Sequence, residues 1–287
     1  TTYPRVYVSP LTYCRLNRKI KRMRRWWKKL VERVVERWNG YRYRFVPWIM
    51  VNLKNRQVRK VLGLSNDQAI HQETALTMLD MYFSELEKHN TGYTNESKQK
   101  ILRNALGFAI TRSPSNVAGT GVFVSTGRVK KGSLVCMYPG TVYQCHEPIF
   151  FQSVANTFIF RCIDGILIDG KDTGLSRFIY RSCGHRDLVG NNFTCDTSWL
   201  TSNLSNLLAI GQYVNNGTHE FPANVTYQEL DIPSNFPLQY LKYLPNVNYS
   251  FKTYKSEVLH IKLVVLVALR DIEQGEELFS SYFTVVH

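Results

Sequence analysis

Between residues 65 and 107 apolar side chains recur at helical spacing; from residue 119 onward they bunch into short runs bounded by glycine. Leu76, Leu79, Phe83 and Leu86 fall on one stripe, the three-and-four spacing that gives a helix a single apolar face. Ser65, Asn66 and Asp67 offer caps for its start, and Asn90-Thr91-Gly92 ends it after about His89. A second helix is expected from Thr94–Ser97 to Gly107, with Ile101, Leu102, Ala105 and Leu106 inward. The polar stretch Ser113-Pro114-Ser115-Asn116 is the expected boundary between helical and strand-like sequence.

Beyond it the chain turns β. Gly121 to Val124 reads as a short strand, Lys130-Lys131-Gly132 as a hairpin-type turn, and Leu134 to Tyr138 as the returning strand. In the long connection 144–210, Asp164-Gly165 predicts a two-residue hairpin between Phe158–Cys162 and Ile166–Ile168. Ile261 to Leu269 is apolar and β-branched, a buried strand bounded by a turn at Gln274-Gly275. Near the other end, Trp26, Trp27, Leu30, Val31, Val34, Val35 and Trp38 interleave as an amphipathic helix that Asn39-Gly40 can end. Tyr41 to Val51 alternates aromatic and basic residues, as an extended arm with Pro47 would.

Charge sharpens this division. The net charge is +14, yet residues 1–60 hold 18 of the 36 Lys/Arg against two acids, Glu32 and Glu36, which leaves the remainder close to neutral. Up to Val31 there are ten bases and no acid. Three readings stay open for this arm: a mitochondrial address, a nuclear-import or nucleic-acid patch, or a solvated helix whose aromatic stripe packs on the body. The six cysteines show no C-x-x-C pair and no zinc-ligand spacing, so reduced thiols and no metal site are expected. No apolar run reaches the roughly 18 residues of a membrane span. Six N-x-S/T sequons occur, at Asn95, Asn192, Asn203, Asn216, Asn224 and Asn248, without a secretory segment before them. The expected location is intracellular, mitochondrial or nuclear, and not secreted.

Three further stretches carry chemistry. Gly119-Thr120-Gly121 lets the backbone pass a ligand without a Cβ in the way. It is followed by Met137-Tyr138-Pro139-Gly140 and, near the end, by A-L-R-D-I-E-Q-G-E-E-L-F-S-S-Y from Ala268 to Tyr282. In this order the three resemble the first, second and last motifs of SET-domain methyltransferases. The resemblance covers 118–287. It implies an α+β fold of short strands, a β-clip with a C-terminal pseudoknot, preceded by a helical region: a basic arm 1–60, helices 61–117, and a SET domain 118–287 with an insert at about 144–210.

Two stretches resemble the remaining motif, R-F-I-N-H-S-C. Arg177 to Cys183 has Tyr180-Arg181 in place of Asn-His, whereas Gln212 to Val225 offers Tyr213-Val214-Asn215-Asn216. The second is favoured because the side-chain amide is the group the chemistry needs. By resemblance, Tyr282 and Tyr138 are the catalytic tyrosines. Gly119, Thr120, Gly121, Asn215, Asn216 and Tyr282 then bind S-adenosylmethionine, and the partner is a protein lysine, histone or non-histone. The implied reaction is lysine N-methylation, with a non-catalytic SET module binding a protein or nucleic acid as the alternative. Ser281 replaces the usual aspartate, and Ser280 stands where many relatives carry the Phe or Tyr that limits how many methyls fit. With five residues after Tyr282, the aromatic insert, ahead of the aromatic arm, is expected to cover the cleft, with water or a side chain from that cover filling the room beside Ser280.

Overall fold

The computed structural model describes residues 23, 27–29, 31, 68–89, 94–189, 192–250 and 261–281. The chain forms two compact units, Thr1–Val58 with Thr284–His287, and Arg59–Phe283. In the first, Met23, Trp27, Lys28, Lys29 and Val31 are helical.

The second unit begins with a helical pair, α1 (Gln72–Lys88) and α2 (Asn95–Leu106). α1 buries Ala75, Leu79, Tyr82, Phe83 and Leu86, close to the expected stripe. Its start lies later than the caps at Ser65–Asp67 suggest, and those residues fall outside the described ones. The cause is Gln228. Its buried amide donates to the Ile70 carbonyl (2.8 Å) and accepts from the Ile70 N–H (3.1 Å), holding that residue outside the helix. α2 follows its capping logic: the Thr94 side chain accepts from Ser97 N–H, and Gly107 closes the helix at φ 86°, a left-handed turn that glycine adopts without Cβ strain.

Strand structure starts at once, in β1 (Phe108–Pro114), ahead of the polar stretch expected to divide helices from strands. β1 pairs antiparallel with β2 (Thr120–Gly127). The expected return through Lys130–Gly132 therefore does not form a hairpin: β3 (Leu134–Tyr138) pairs instead with β12 (Ile261–Ala268). All eight residues of β12 are buried. A strand apolar on both faces is stable only at the centre of a sheet, and β12 has β3 on one side and β10 (Val225–Ile232) on the other.

That five-stranded sheet runs β3-β12-β10-β13-β9, where β9 is Asn215–Asn216 and β13 is Phe279–Ser280. The late strand β13 is thus threaded between two strands that precede it by more than fifty residues, parallel to both. A second sheet runs β11-β4-β6-β5, with β4 at Gly140–Tyr143, β5 at Ile159–Arg161, β6 at Leu167–Asp169 and β11 at Asn246–Asn248. The β5–β6 turn closes on Cys162 and Ile166, with Gly165 at φ 87°. The loop is therefore three residues rather than the two expected, because Asp164 accepts from the Ile166 N–H and leaves glycine the left-handed position.

The insert also carries the short helix α3 (Phe150–Ser153), α4 (Gly174–Arg186) and the small ladder of β7 (Leu188–Val189) with β8 (Asn192–Phe193). Its last turns dock on the helical pair. Leu207 N–H donates to the Tyr82 hydroxyl (3.1 Å), and Lys98 donates to Asn203 Oδ1 and the Leu204 carbonyl, both at 2.6 Å.

A buried carboxylate sits at this junction. Asp196 Oδ1 accepts from Ser198 N–H (2.7 Å) while Oδ2 is buried without a hydrogen bond. Burial pushes its acid up to about 6 from 3.8, against the hydrogen bonds to Ser198. A raised carboxyl pKa means the folded state disfavours the charged form. The penalty is absent below pH 3.8, grows as pH rises through that value, and is complete above about 6. Asp196→Asn should therefore stabilise the fold by up to about 3 kcal/mol at neutral pH. The gain should vanish at acid pH, as read from urea unfolding at both values.

Candidate active site

Three segments far apart in sequence meet at one amide. The loop ahead of β2 turns at Gly119 (φ 52°), β9 supplies Asn215, and Glu277 lies just before β13. Asn215 Nδ2 donates to the carbonyls of Ala118 (3.1 Å) and Thr120 (3.4 Å) and to Glu277 Oε1 (2.9 Å). The other carboxylate oxygen, Oε2, accepts from Ser115 Oγ (3.0 Å), whose oxygen in turn takes the Val117 N–H (3.0 Å). Gly121 is buried against this carboxylate, and any Cβ there would collide with Glu277. The structure so brings Gly119, Thr120, Gly121 and Asn215 into one cluster. Asn216 is exposed on the same strand.

Glu277 was not singled out from the sequence, although it is the second acid of the Gly-Glu-Glu-Leu turn. Asn224 is the second omission. It is 1% exposed, which excludes its sequon as a surface glycan site in the folded chain. Its Nδ2 donates to the Glu277 carbonyl and its Oδ1 accepts from Phe279 N–H, both at 2.8 Å. Backbone bonds from Asn224 N–H to Phe279 O and from Gly217 N–H to Ser280 O complete the seat of β13.

Tyr138, at the end of β3, is 4% exposed, and its hydroxyl donates to the Phe158 carbonyl (2.9 Å). The same carbonyl accepts from Gly170 N–H (2.8 Å). Gly170 is required here, since a Cβ would lie 2.8 Å from the Tyr138 ring. Phe158 is held through Asn156, whose Oδ1 accepts its N–H (2.9 Å) and whose Nδ2 donates to buried Asp169 (2.7 Å). Burial raises the Asp169 acid above its usual range despite donors from Ser176, Asn156 and the Lys171 backbone.

Aromatic rings wall this point: Phe160 lies 5.5 Å from Tyr138, and Tyr227 lies 6.2 Å from Tyr138 and 5.0 Å from Phe160. The insert thus supplies Phe158 and Phe160 beside Tyr138. The room beside Ser280 is filled otherwise than expected. Ser280 is fully buried, and its Oγ sits 3.3 Å from the Tyr227 hydroxyl, so the occupant comes from β10 rather than from the cover. Tyr282 lies outside the described residues.

At the rim, the Tyr213 hydroxyl bonds Asp172 (2.5 Å) under the Arg112 guanidinium, 5.0 Å from the ring centroid. Burial, then Asp172, pushes the Tyr213 phenol up to about 12. The rival motif Arg177–Cys183 is a stretch of α4. Its Tyr180 hydroxyl donates to the Asp196 carbonyl (2.6 Å) and its Arg177 to the Leu200 carbonyl (2.6 Å), so these side chains brace the insert.

Elsewhere, ligand atoms of Cys162, Asp164 and Glu229 lie within 4.8 Å of one another. Lys262 Nζ already meets those carboxylates, at 2.9 Å from Asp164, 3.2 Å from Glu229 and 3.5 Å from Asp231. Burial works against its charge, but the three acids outweigh burial and hold the ammonium well above the ordinary lysine range. The thiol of Cys162 is pushed up by burial and then by the same acids. This arrangement is that of an ion-pair cluster.

No family model matches the chain. SET domain-containing protein 9 of Homo sapiens is 43% identical over 299 residues, spanning 90% of this chain and 99% of that one. The protein of the same name from Pongo abelii is 52% identical over 203 residues, 70% of this chain and 73% of the relative. Among solved structures, KRYPTONITE in complex with mCHH DNA, an H3(1-15) peptide and SAH superposes with a TM-score of 0.32 at 17% identity. That match covers 62% of this chain and 24% of the other, too loose to bear on the argument. Asn224→Ala should cost about 2–5 kcal/mol, since it strands two buried backbone groups at once. Glu277→Gln, which keeps an acceptor for Asn215, should cost at most about 2 kcal/mol. Chemical denaturation of both variants beside wild type checks the ranking.

Proposed function

The chain belongs to the SET-domain methyltransferase family, among the relatives of SET domain-containing protein 9, and from that membership we propose that it is an S-adenosylmethionine-dependent protein-lysine N-methyltransferase. One observation carries the reading: the Asn215 amide joins the Ala118–Thr120 loop to the Glu277 carboxylate.

The donor set fits the cofactor. The loop carbonyls and the carboxylate are oxygen acceptors suited to an α-ammonium group, and Glu277 places a negative charge near a cationic ligand. Gly119, Thr120, Gly121, Asn215 and Asn216 are the residues assigned to hold it. When bound, S-adenosylmethionine supplies a methyl group activated on a sulfonium. The chain's own task is to present a neutral amine in line with that group. A free lysine has a pKa near 10.4, so deprotonation at pH 7 costs about 4–5 kcal/mol. The dry wall of Phe160, Tyr227 and Tyr138 lowers that cost by disfavouring the charged form. The bond from the Tyr138 hydroxyl to the Phe158 carbonyl fixes the position of its oxygen beside this wall, and Tyr138 is assigned the orienting of the amine. Tyr282, five residues after Glu277, is assigned the remaining hydroxyl.

The buried, internally bonded hydroxyl of Tyr138 favours one rival, a SET module that binds the cofactor without turning it over. Calorimetric titration with S-adenosylmethionine should show binding that Asn215→Ala weakens at least about tenfold, the loss expected for charge-assisted hydrogen bonds. Wild type that fails to bind sinks the proposal. Transfer of a tritiated methyl to core histones or to the chain itself should fall at least about a hundredfold in Tyr282→Phe, the scale of one positioned polar group. Binding without any transfer selects the rival.

A further inference from the structure

Asp169 is a buried acid that the reading above leaves idle. It ends β6, is 1% exposed, and pairs in register with Thr141 on β4 and Ile159 on β5. Its Oδ1 accepts from Asn156 Nδ2 (2.7 Å) and from Lys171 N–H (3.2 Å). Its Oδ2 is buried without a hydrogen bond, and so is Thr141 Oγ1 on the same face of the ladder. Burial raises the acid against everything that favours its charge: the Ser176 hydroxyl, the Asn156 amide, and the backbone and ammonium of Lys171. The folded chain therefore holds a carboxylate here at a cost. For packing alone an asparagine would serve, since its oxygen can take both bonds and its amide can meet Thr141. The charge calls for a use.

Both of its bonds lead to one carbonyl. On one side, the Oδ1 of the Asn156 amide accepts from Phe158 N–H (2.9 Å). On the other, the Lys171 bond fixes the turn whose preceding N–H, that of Gly170, donates to the Phe158 carbonyl (2.8 Å). The Tyr138 hydroxyl donates to that same carbonyl (2.9 Å). We infer that Asp169 is the positioning residue for Tyr138: it sets the Phe158 carbonyl from both sides, and the carbonyl sets the phenol beside the aromatic wall. This rests on the assignment of Tyr138 to the amine made above. Hydrogen bonds to an ionised acceptor are roughly twice as strong as neutral ones, so the anion grips both arms and its protonation slackens them. Lys171, on the same turn, and Tyr143, on β4, are titratable groups that interact with it. From α4 and from the turn after α3 it meets the neutral side chains of Ser176 and Asn156.

The test is carbon NMR of the full chain with tyrosine labelled at Cζ, the Tyr138 signal being the one that Tyr138→Phe removes. That signal should shift with an inflection above pH 3.8, the ordinary value for such an acid. In Asp169→Asn, which keeps the shape and both accepted bonds, it should lie at the acid limit of wild type and no longer titrate. A through-space field would do the same without positioning, so Asn156→Ser is the second variant. It keeps the charge and cuts one arm, and the Tyr138 shift should shrink. Thermal unfolding reports that each variant is folded. A Tyr138 signal that does not titrate in wild type, that still titrates in Asp169→Asn, or that keeps its full shift in Asn156→Ser overturns the proposal. Where wild type transfers methyl, Asp169→Asn should lower kcat at least about tenfold and leave the KM for S-adenosylmethionine unchanged, because the Asn215 cluster is untouched. An unchanged kcat overturns the proposal too. A chain without transfer fails the functional reading alone, since the Tyr138 signal then decides the positioning by itself.

Discussion

Two side-chain amides hold the last described strand where the site needs it. Strand β13 is two residues long, too short for its own ladder to fix it, and it runs parallel between β9 and β10. Asn224 bonds the backbone on both sides of Leu278, and Asn215 captures the Glu277 side chain. Both asparagines lie in the fourteen-residue stretch Gln212–Val225. That stretch thus does two jobs, building the loop cluster and threading the chain end through the sheet. Since a buried polar group left alone costs about 1–3 kcal/mol, the threaded arrangement is cooperative: loosening β13 strands partners on the Gly119 loop and on β10 together.

The sequence made local features legible and long-range pairing much less so. The cap at Thr94, the stop at Gly107 and the stripe through Leu79, Phe83 and Leu86 follow from residues a few positions apart. The β12 strand was equally plain, because eight consecutive buried positions have few other fates. Pairing depends on distant groups. Nothing near Lys130–Gly132 reveals that β2 turns back to β1 while β3 waits for β12, and nothing near Ile70 announces that Gln228, 158 residues on, will take its backbone. Asn215 could be chosen over the copy in α4 because the motif it resembles carries a side-chain amide, which Tyr180-Arg181 lacks. Glu277 escaped notice because a second acid in a turn is ordinarily solvated, and its role exists only once Gly121 and Ser115 are beside it.

The room beside Ser280 bears on the same point from the side of packing. A serine at a fully buried position fills little volume, and voids beside a core cost about 1 kcal/mol per methyl-sized gap. Here the volume is recovered from another strand. Tyr227, on β10, packs against Phe160 and Tyr138 and brings its hydroxyl to Ser280 Oγ. Because Val225 pairs with Ser280 and side chains alternate along a strand, Tyr227 lies on the same face of β10 as Val225. A one-residue slip of β10 against β13 would turn it away. The wall beside Tyr138 is therefore set by register, and register is what Asn224, one residue before β10, fixes. Stability of the threaded strand and shape of the wall beside Tyr138 are on this account a single property, and a substitution that weakens the first should be read for its effect on the second.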